Sequence, residues 1–499
     1  MSVALERTAA LAERALERLR QVPQQQRWAD DVARILDRLH EPLRVAIVGR
    51  VKAGKSTLLN CLVGERLAAT DAGECTQIVS WYRHGSHYSV AAVLHDGSRL
   101  DLAFSRVDGR LQFSPPAHVA LERIARFEVE WPAAALREMT LIDTPGLASL
   151  RDENSARTRD FLALGDDRPA QADMVVYMMR HMHSRDAEYL DALSDQSQST
   201  TSAASAIALL SRADEIGGGR LDAMASAHRI ASRYEADTRV RAMCARVLPV
   251  TALLGETGTT LSEMEISDLR ELAALPPDLL DIMLLAADEL CSTTLQISLP
   301  VEVRRQLLHR FGLFGLRLLV DRLSQNEALT AATLAPALVD MSGVPKLVRE
   351  LRETFLPRTG TLKARVGLLE LRRVAAEMHP SDPRFAEWLD AESERVENSA
   401  GEFSDLRLAQ LVARAREQLR PHDFDELLSL SAAGPLHRRL GLPSSATAAQ
   451  CRASALALGD RWRSRRSVAL LEGPLLEVAD LAVRVADRLA ATAAQHLEN

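Results

Sequence analysis

Apolar residues between Val3 and about Leu19 recur at helical spacing, Pro23 and Gln24 to Gln26 interrupt the pattern, and a second helical run extends from about Trp28 to Leu39. The pattern then changes. Leu43–Val48 reads as a buried strand and Ile78–Tyr82 as another, while Val90–Leu94 and Leu100–Phe104 read as a hairpin around Asp96-Gly97. Phe127–Trp131 alternates; Met139–Ile142, Met174–Met179, Ala206–Leu210 and Val247–Val250 are continuous apolar runs, the last two separated by a helix from about Leu221 to Met243. Continuous apolar strands interleaved with helices predict a mostly parallel sheet covered on both faces, hence an α/β domain. Ser194 to Ser205 is small and polar and reads as a loop. From about Leu253 onward the pattern holds no strand. Helices are expected at Leu261–Leu275, Asp278–Cys291, Val303–Leu323 and Val344–Phe355. After Pro357 the chain reads as helix almost to its end, with breaks near Pro380, Gly434 to Pro443 and Gly473-Pro474. Long amphipathic helices at both ends predict an all-α unit in which the N-terminal helices pack with the C-terminal ones.

Composition narrows this only in part. At 499 residues, two to four domains are expected, and 47% hydrophobic residues suffice for sizeable cores. A net charge of -7 argues against a nucleic-acid surface over the whole protein, leaving a local basic patch open. The five cysteines, Cys61, Cys75, Cys244, Cys291 and Cys451, form no C-x-x-C pair, which points to a reducing cytoplasm and away from a disulfide framework or zinc site. The first residues, MSVALERTAALAERAL, lack the continuous apolar core of a signal peptide. No uncharged apolar stretch reaches membrane-spanning length, so any membrane contact is expected to be peripheral.

The chemistry is concentrated in Gly49-Arg50-Val51-Lys52-Ala53-Gly54-Lys55-Ser56-Thr57, a G-x-x-x-x-G-K-S loop between a predicted strand and a predicted helix. Backbone N–H groups of such a loop cradle phosphates, and the following helix adds its positive dipole end. Lys55 is expected to neutralise the β- and γ-phosphates, and the Ser56 hydroxyl to hold Mg²⁺. Asp143-Thr144-Pro145-Gly146 ends the strand at Met139–Ile142. Its carboxylate suits the Mg²⁺ hydration shell, and the Gly146 N–H a γ-phosphate contact. Between them lies Thr76, chosen as the Mg²⁺- and phosphate-contacting threonine because a strand begins just after it, with Thr70 as the rival. Ser211-Arg212-Ala213-Asp214 stands where GTPases usually carry N/T-K-x-D. An aspartate there accepts from two guanine N–H groups and repels the N1 acceptor of adenine. Ser for Asn or Thr, and Arg for Lys, leave full guanine specificity open. Thr251 and Ala252 fit a short backbone contact to the guanine O6.

With these motifs in hand the chain resembles the bacterial dynamin-like GTPases, and is most similar to the actinobacterial isoniazid-inducible dynamin-like group. The segments that carry the resemblance are GRVKAGKSTLLNCLVGE, TDAGECTQIVSWYRHG, LIDTPG, LLSRADEIGGGRLDAM, LLHRFGLFGLR and SGVPKLVRELRETF. The resemblance implies N-terminal neck helices at 1–40, a dynamin-type GTPase domain at 41–355 with a helical segment at 253–340, and a helical neck and trunk at 356–499. It implies hydrolysis of Mg·GTP stimulated by pairing of GTPase domains, through self-association or with a paired dynamin-like protein. It also implies peripheral binding to an anionic membrane at the inner face of the cell membrane, with remodelling or fission. Leu147 stands where Ras-like GTPases carry a water-orienting Gln, whereas Lys52 stands where guanylate-binding GTPases extend a cis arginine. Lys52 is therefore expected to supply transition-state charge in cis, with Lys55, Thr76 and Gly146 as its catalytic companions.

Two segments offer the basic and apolar residues of a membrane-facing tip. One is the break at Leu436–Pro443, with Leu440 and Leu442; the other is Arg461, Trp462, Arg463, Arg465 and Arg466. Leu307 to Val320, with Phe311 and Phe314 beside glycines, reads as core, and His379 and His422 show no ligand spacing. Two other readings share the nucleotide site: a GTPase switch for ribosome or RNA assembly, and a non-catalytic GTP-binding scaffold for protein partners.

Overall fold

A computed structural model describes residues 2–68, 78–107, 110–115, 119–145, 171–180, 205–237, 240, 244, 246–292, 297–468 and 473–498. Thr70, Thr76, Gly146 and Leu147 lie outside the described residues.

The strands are β1 (Leu43–Gly49), β2 (Ser80–His84), β3 (Ser89–Leu94), β4 (Arg99–Asp101), β5 (Phe104–Val107), β6 (Arg110–Phe113), β7 (Ile124–Trp131), β8 (Met139–Asp143), β9 (Met174–Met179), β10 (Ala206–Ser211) and β11 (Val247–Val250). Nine of them form one sheet in the order β11-β10-β9-β1-β8-β2-β7-β3-β4. The half from β11 to β8 is parallel throughout, as continuous apolar runs predict. Consecutive residues of β9 feed opposite faces: Met174, Val176 and Met178 enter one core with Val45, Ile47 and Leu141, whereas Val175, Tyr177 and Met179 enter another with Ala46, Val48 and Ile142. Beyond β8 the sheet turns mixed, with β2 antiparallel to β8 and parallel to β7, and β3 antiparallel to both β7 and β4.

The hairpin forms at Asp96-Gly97, where Gly97 adopts φ 86 and Leu94 bonds Ser98 and Gly97 across the turn. Its second strand stops at Asp101, however, and Phe104 opens a separate two-stranded ribbon, β5–β6, that the hydrophobic pattern does not reveal. Every residue of β5 is exposed, so no buried face marks it.

The helices preceding the sheet are α1 (Val3–Arg20) and α2 (Gln26–His40); within it lie α3 (Lys55–Val63), α4 (Ala135–Glu138) and α5 (Ala223–Ala236), the last ending short of the expected Met243. Next come α6 (Ala252–Thr259), α7 (Glu263–Ala273), α8 (Pro277–Met283), α9 (Ala287–Leu290), α10 (Val301–Gln325), α11 (Ala331–Met341) and α12 (Val344–Glu350). The single helix expected at Asp278–Cys291 is two short ones, and α11 falls almost wholly within the helical segment expected at 253–340 without separate bounds, with Pro336 inside it. The chain continues through α13 (Thr359–Met378), α14 (Pro383–Ser399), α15 (Gly401–Arg414), α16 (Pro421–Ser431), α17 (Leu436–Arg439), α18 (Ala448–Val468) and α19 (Pro474–Glu498). No strand follows Val250 among the described residues.

The two chain ends share cores. Leu11, Leu19, Val32 and Ile35 of α1 and α2 pack with Leu368, Leu371, Met378 and Leu389 of α13 and α14. The α1 N-terminus is capped from the far end of the sequence, since Val3 N and Ala4 N donate to the Glu402 carboxylate at 2.8 and 3.1 Å. A second helical core joins Leu408, Val412, Leu427 and Leu430 to Trp462, Val478, Leu481 and Val485. Apolar packing also crosses the expected boundary at 355: Leu362 and Leu406 belong to the same cluster as Leu351, Phe355 and the sheet residues. Beneath the sheet a buried charge network ties the helices to it. Arg38 of α2 pairs with Asp173, 2.9 Å away at the foot of β9, and with Glu370 of α13; Asp173 also accepts from Arg44 N of β1 at 2.9 Å.

Candidate functional site

The phosphate loop is shaped by backbone requirements that only certain residues meet. A β-carbon at Gly49 would lie 2.4 Å from the Met178 carbonyl oxygen, on the neighbouring strand β9, so the strand can pass there only as glycine. Gly54 caps α3 in the left-handed region at φ 92. Lys52 also adopts positive φ, 63°, one of two non-glycine residues to do so among those described. A lysine held there carries backbone strain on the order of 1–2 kcal/mol. Arg50 and Ala53 close the turn through Ala53 N to Arg50 O at 3.1 Å, and Val51 is half-exposed at 52%.

Lys55 folds back over this loop. It is 8% exposed, and its ammonium donates to the carbonyls of Gly49 and Arg50 at 3.3 and 3.4 Å. Burial pushes its pKa down, with Asp143 acting in the opposite direction. A phosphate anion beside it would reverse that shift. The next residue, Ser56, donates its hydroxyl proton to Asp143 Oδ2 at 2.7 Å. Burial raises the Asp143 carboxyl, opposed by Lys55 and Ser56, and Asp143 Oδ1 is buried without a hydrogen-bond partner. Two hard oxygen donors in contact, one with a buried lone oxygen, fit Mg²⁺. Thr144 anchors the strand end by donating to Ile47 O at 2.9 Å. The strands therefore bring Lys55, Ser56 and Asp143 together, although Asp143 lies 87 residues beyond Ser56.

The residues expected to meet the base lie at the ends of β10 and β11. Ser211 is buried and donates to Met179 O at 3.1 Å. Arg212 is the second positive-φ residue, at 51°, and its guanidinium pairs with Glu215 at 2.6 Å, so it is held by its own turn. Burial raises the Asp214 carboxyl, and the Thr251 side chain acts against that rise, although Thr251 Oγ1 is itself buried outside hydrogen-bond distance of any partner among the described residues. Thr251 is 1% exposed and its N–H donates to Ser342 O at 2.9 Å. Ala252 follows as the first residue of α6, and its carbonyl accepts from Cys61 Sγ of α3 at 3.0 Å, which joins α6 to the helix after the phosphate loop. Phe311 and Phe314 are core residues, each 1% exposed, as expected. Sequence reasoning missed that Gly312 between them breaks α10, at φ 62 and ψ 172, beside Asp214. The one visible signal was the pair Gly312 and Gly315 inside an otherwise helical pattern.

The second membrane-tip expectation is corrected. Trp462 is 2% exposed and sits in the helical core, because helical spacing turns it inward. Its neighbours are engaged by acids, all but Asp460 on adjacent helices: Arg461 by Glu426, Arg463 by Asp487 and by Asp460 of its own helix, Arg465 by Asp423, and Arg466 by Asp480. Arg465 also stacks over the Trp462 ring at 4.7 Å. In the first segment Leu440 and Leu442 are half-buried and Arg438 is exposed. His422 does lie near Asp423 and Glu426 at possible ligand distance, but both carboxylates are occupied by arginines.

A family model described as the dynamin family matches residues 45–208. The isoniazid-induced protein IniC of Mycobacterium tuberculosis is 34% identical over 471 residues, covering 92% of each chain. A bacterial dynamin-like protein of Nostoc punctiforme is 30% identical over 132 residues, 24% of this chain and 18% of that one. A solved bacterial dynamin pair, described as oligomerised and as a mechanism for long-range sensing and tethering of membranes, aligns with a TM-score of 0.31 and 12% identity over 98% of this chain and 75% of that chain.

Proposed function

Because this chain belongs to the dynamin family and is a GTPase, we propose that it hydrolyses Mg·GTP at the Gly49–Thr57 loop and couples paired GTPase domains to peripheral membrane binding and remodelling. The convergence of Lys55, Ser56 and the lone Asp143 oxygen carries the nucleotide half of this reading. Ser56 and Asp143, with Thr76, would hold the metal, which when bound withdraws charge from the phosphate oxygens. Lys55 binds the β- and γ-phosphates, Gly146 contacts the γ-phosphate, and the amides of the loop fix their orientation. Asp214 accepts from the guanine edge, and Thr251 with Ala252 closes the other side of the base.

The division into neck helices at 1–40, a GTPase domain at 41–355 and a neck and trunk at 356–499 belongs to the same reading. The shared core of α1, α2, α13 and α14 supports a neck built from both ends of the chain. No helix among the described residues is long and apolar enough to cross a membrane; the contact proposed with an anionic bilayer at the inner membrane face is a peripheral one. The turn carrying Arg438, Leu440 and Leu442 is the segment offered to lipid.

GTP turnover measured against enzyme concentration, with and without anionic liposomes and with Lys55→Ala as the blank, tests the whole. Specific activity is expected to rise with enzyme concentration and several-fold with lipid. Turnover that is linear in enzyme and indifferent to lipid would sink the pairing and membrane parts.

Lys52, exposed and held at positive φ in the loop, supplies positive charge to the transition state in cis. Lys52→Ala is expected to lower kcat by roughly 10²-fold while leaving GTP affinity within threefold. Unchanged turnover would remove Lys52 from the mechanism.

A further inference from the structure

Leu307, Phe311, Phe314 and Leu316 are buried core residues, yet the backbone between them does something a core helix need not do. At Gly312 α10 breaks, and a β-carbon there would lie 3.4 Å from Leu253 Cδ2 and 3.7 Å from Asp214 Oδ2. Gly312 thus sits between the two turns assigned to the base, one ending at Asp214 and one opening α6 at Thr251. Just before the break, the carbonyl of Arg310 lies 2.8 Å from the hydroxyl of Thr257, a buried residue of α6. Just after it, Phe314 N lies against Gly219, where a β-carbon would be 3.3 Å from that nitrogen and 3.4 Å from Asp214 O.

Arg317 completes the arrangement. Its Nη1 donates to Gly218 O at 2.7 Å, its Nε to Leu284 O at 2.9 Å, and its Nη2 to Leu284 O and Leu285 O at 2.6 and 3.0 Å. Among the described residues it has no carboxylate partner, so its donors go to the main chain of the Asp214 turn and of the α8–α9 connection. Arg212, in the position where GTPases place a lysine, is turned away into its pair with Glu215.

We propose that Gly312 and Arg317 are positioning residues for guanine recognition, fixing the Asp214 turn relative to Thr251–Ala252. The proposal rests on Asp214 being the base-binding carboxylate. The physical reason is that a bidentate carboxylate discriminates only when its plane is set, and small displacements forfeit the fit.

The test uses the full chain and fluorescent GDP, with ADP as competitor. Arg317→Ala is expected to weaken GDP binding about tenfold, mainly by faster dissociation, and to narrow the preference over ADP. Turnover at saturating GTP stays within twofold, because the phosphate side is untouched. Arg317→Lys, with one donor group for three carbonyls, falls between, and Gly312→Ala shifts affinity in the same direction because φ 62 disfavours a side chain. Asp214→Asn separates the two ideas. If it leaves GDP affinity unchanged, the base assignment fails and this proposal with it. If it weakens GDP binding while Arg317→Ala and Gly312→Ala do not, only the positioning role is overturned. A lowered melting temperature with unchanged GDP affinity overturns it as well. Should Arg317→Ala not fold, as judged by circular dichroism, Arg317→Lys and Gly312→Ala decide.

Discussion

Replacing Lys55 with alanine is expected to lower GTP turnover by on the order of 10³-fold or more, below detection in a steady-state assay. The ammonium is enclosed by the loop, 3.3 and 3.4 Å from the Gly49 and Arg50 carbonyls and within reach of the Asp143 charge, where on the proposed reading it would meet the phosphates. In so dry a place a single positive charge is worth far more to a phosphoryl transition state than it would be in water. The sign for stability is opposite. Burial penalises the ammonium, so nucleotide-free Lys55→Ala should melt no lower than the parent. Calorimetry of the nucleotide-free protein beside single-turnover hydrolysis reads both. Residual turnover within tenfold of the parent would show that phosphate neutralisation comes from elsewhere.

The largest expected loss of stability lies far from the nucleotide, at Arg38. Its guanidinium joins Asp173, whose side chain is wholly buried, to Glu370, whose side chain is 11% exposed. Arg38→Met leaves both carboxylates without their cation and is expected to destabilise the fold by about 3–5 kcal/mol. The deficit depends on pH in a definite direction. Burial already raises the Glu370 carboxyl, and Arg38 is the largest influence lowering it. Without Arg38 it rises further. A carboxyl whose folded pKa exceeds its unfolded one holds a proton the unfolded chain has released. That stabilisation is complete below the unfolded pKa and fades as pH climbs through the folded one. The deficit should therefore be smaller at pH 5 than at pH 8. Urea titrations at both pH values, with Glu370→Gln added to Arg38→Met as partial rescue, measure it. A deficit below about 1 kcal/mol, or one equal at both pH values, would mean the network is not the tie described here.

Much of the fold was legible because its strands are buried on both faces. Met174–Met179 and Val247–Val250 have the bounds their apolar runs predict, and Leu43–Val48 is only one residue short. Where one face or none is buried, legibility fell. Strand β5 is exposed throughout and has no buried face to read, Pro336 lies inside α11 and masks its separate bounds within the expected helical segment, and the helix expected at Asp278–Cys291 divides after Met283. Arg461–Arg466 shows the same limit from the other side, for a run of arginines around a tryptophan reads alike on a free surface and in a seam of ion pairs.

What the sequence determined by itself was the chemistry of contiguous segments. A glycine-rich loop ending in Lys55-Ser56 between strand and helix, and Asp143 at a strand end, need only local backbone geometry and side-chain type to be recognised. What the tertiary structure decided were the meetings of distant residues: Ser56 with Asp143, Asp214 with Thr251 and Gly312, Arg38 with Asp173 and Glu370. Spacing along a chain fixes which face of a helix or strand a residue occupies. Which faces then meet is set by how whole elements bury their apolar surfaces against one another, and no single segment carries that information.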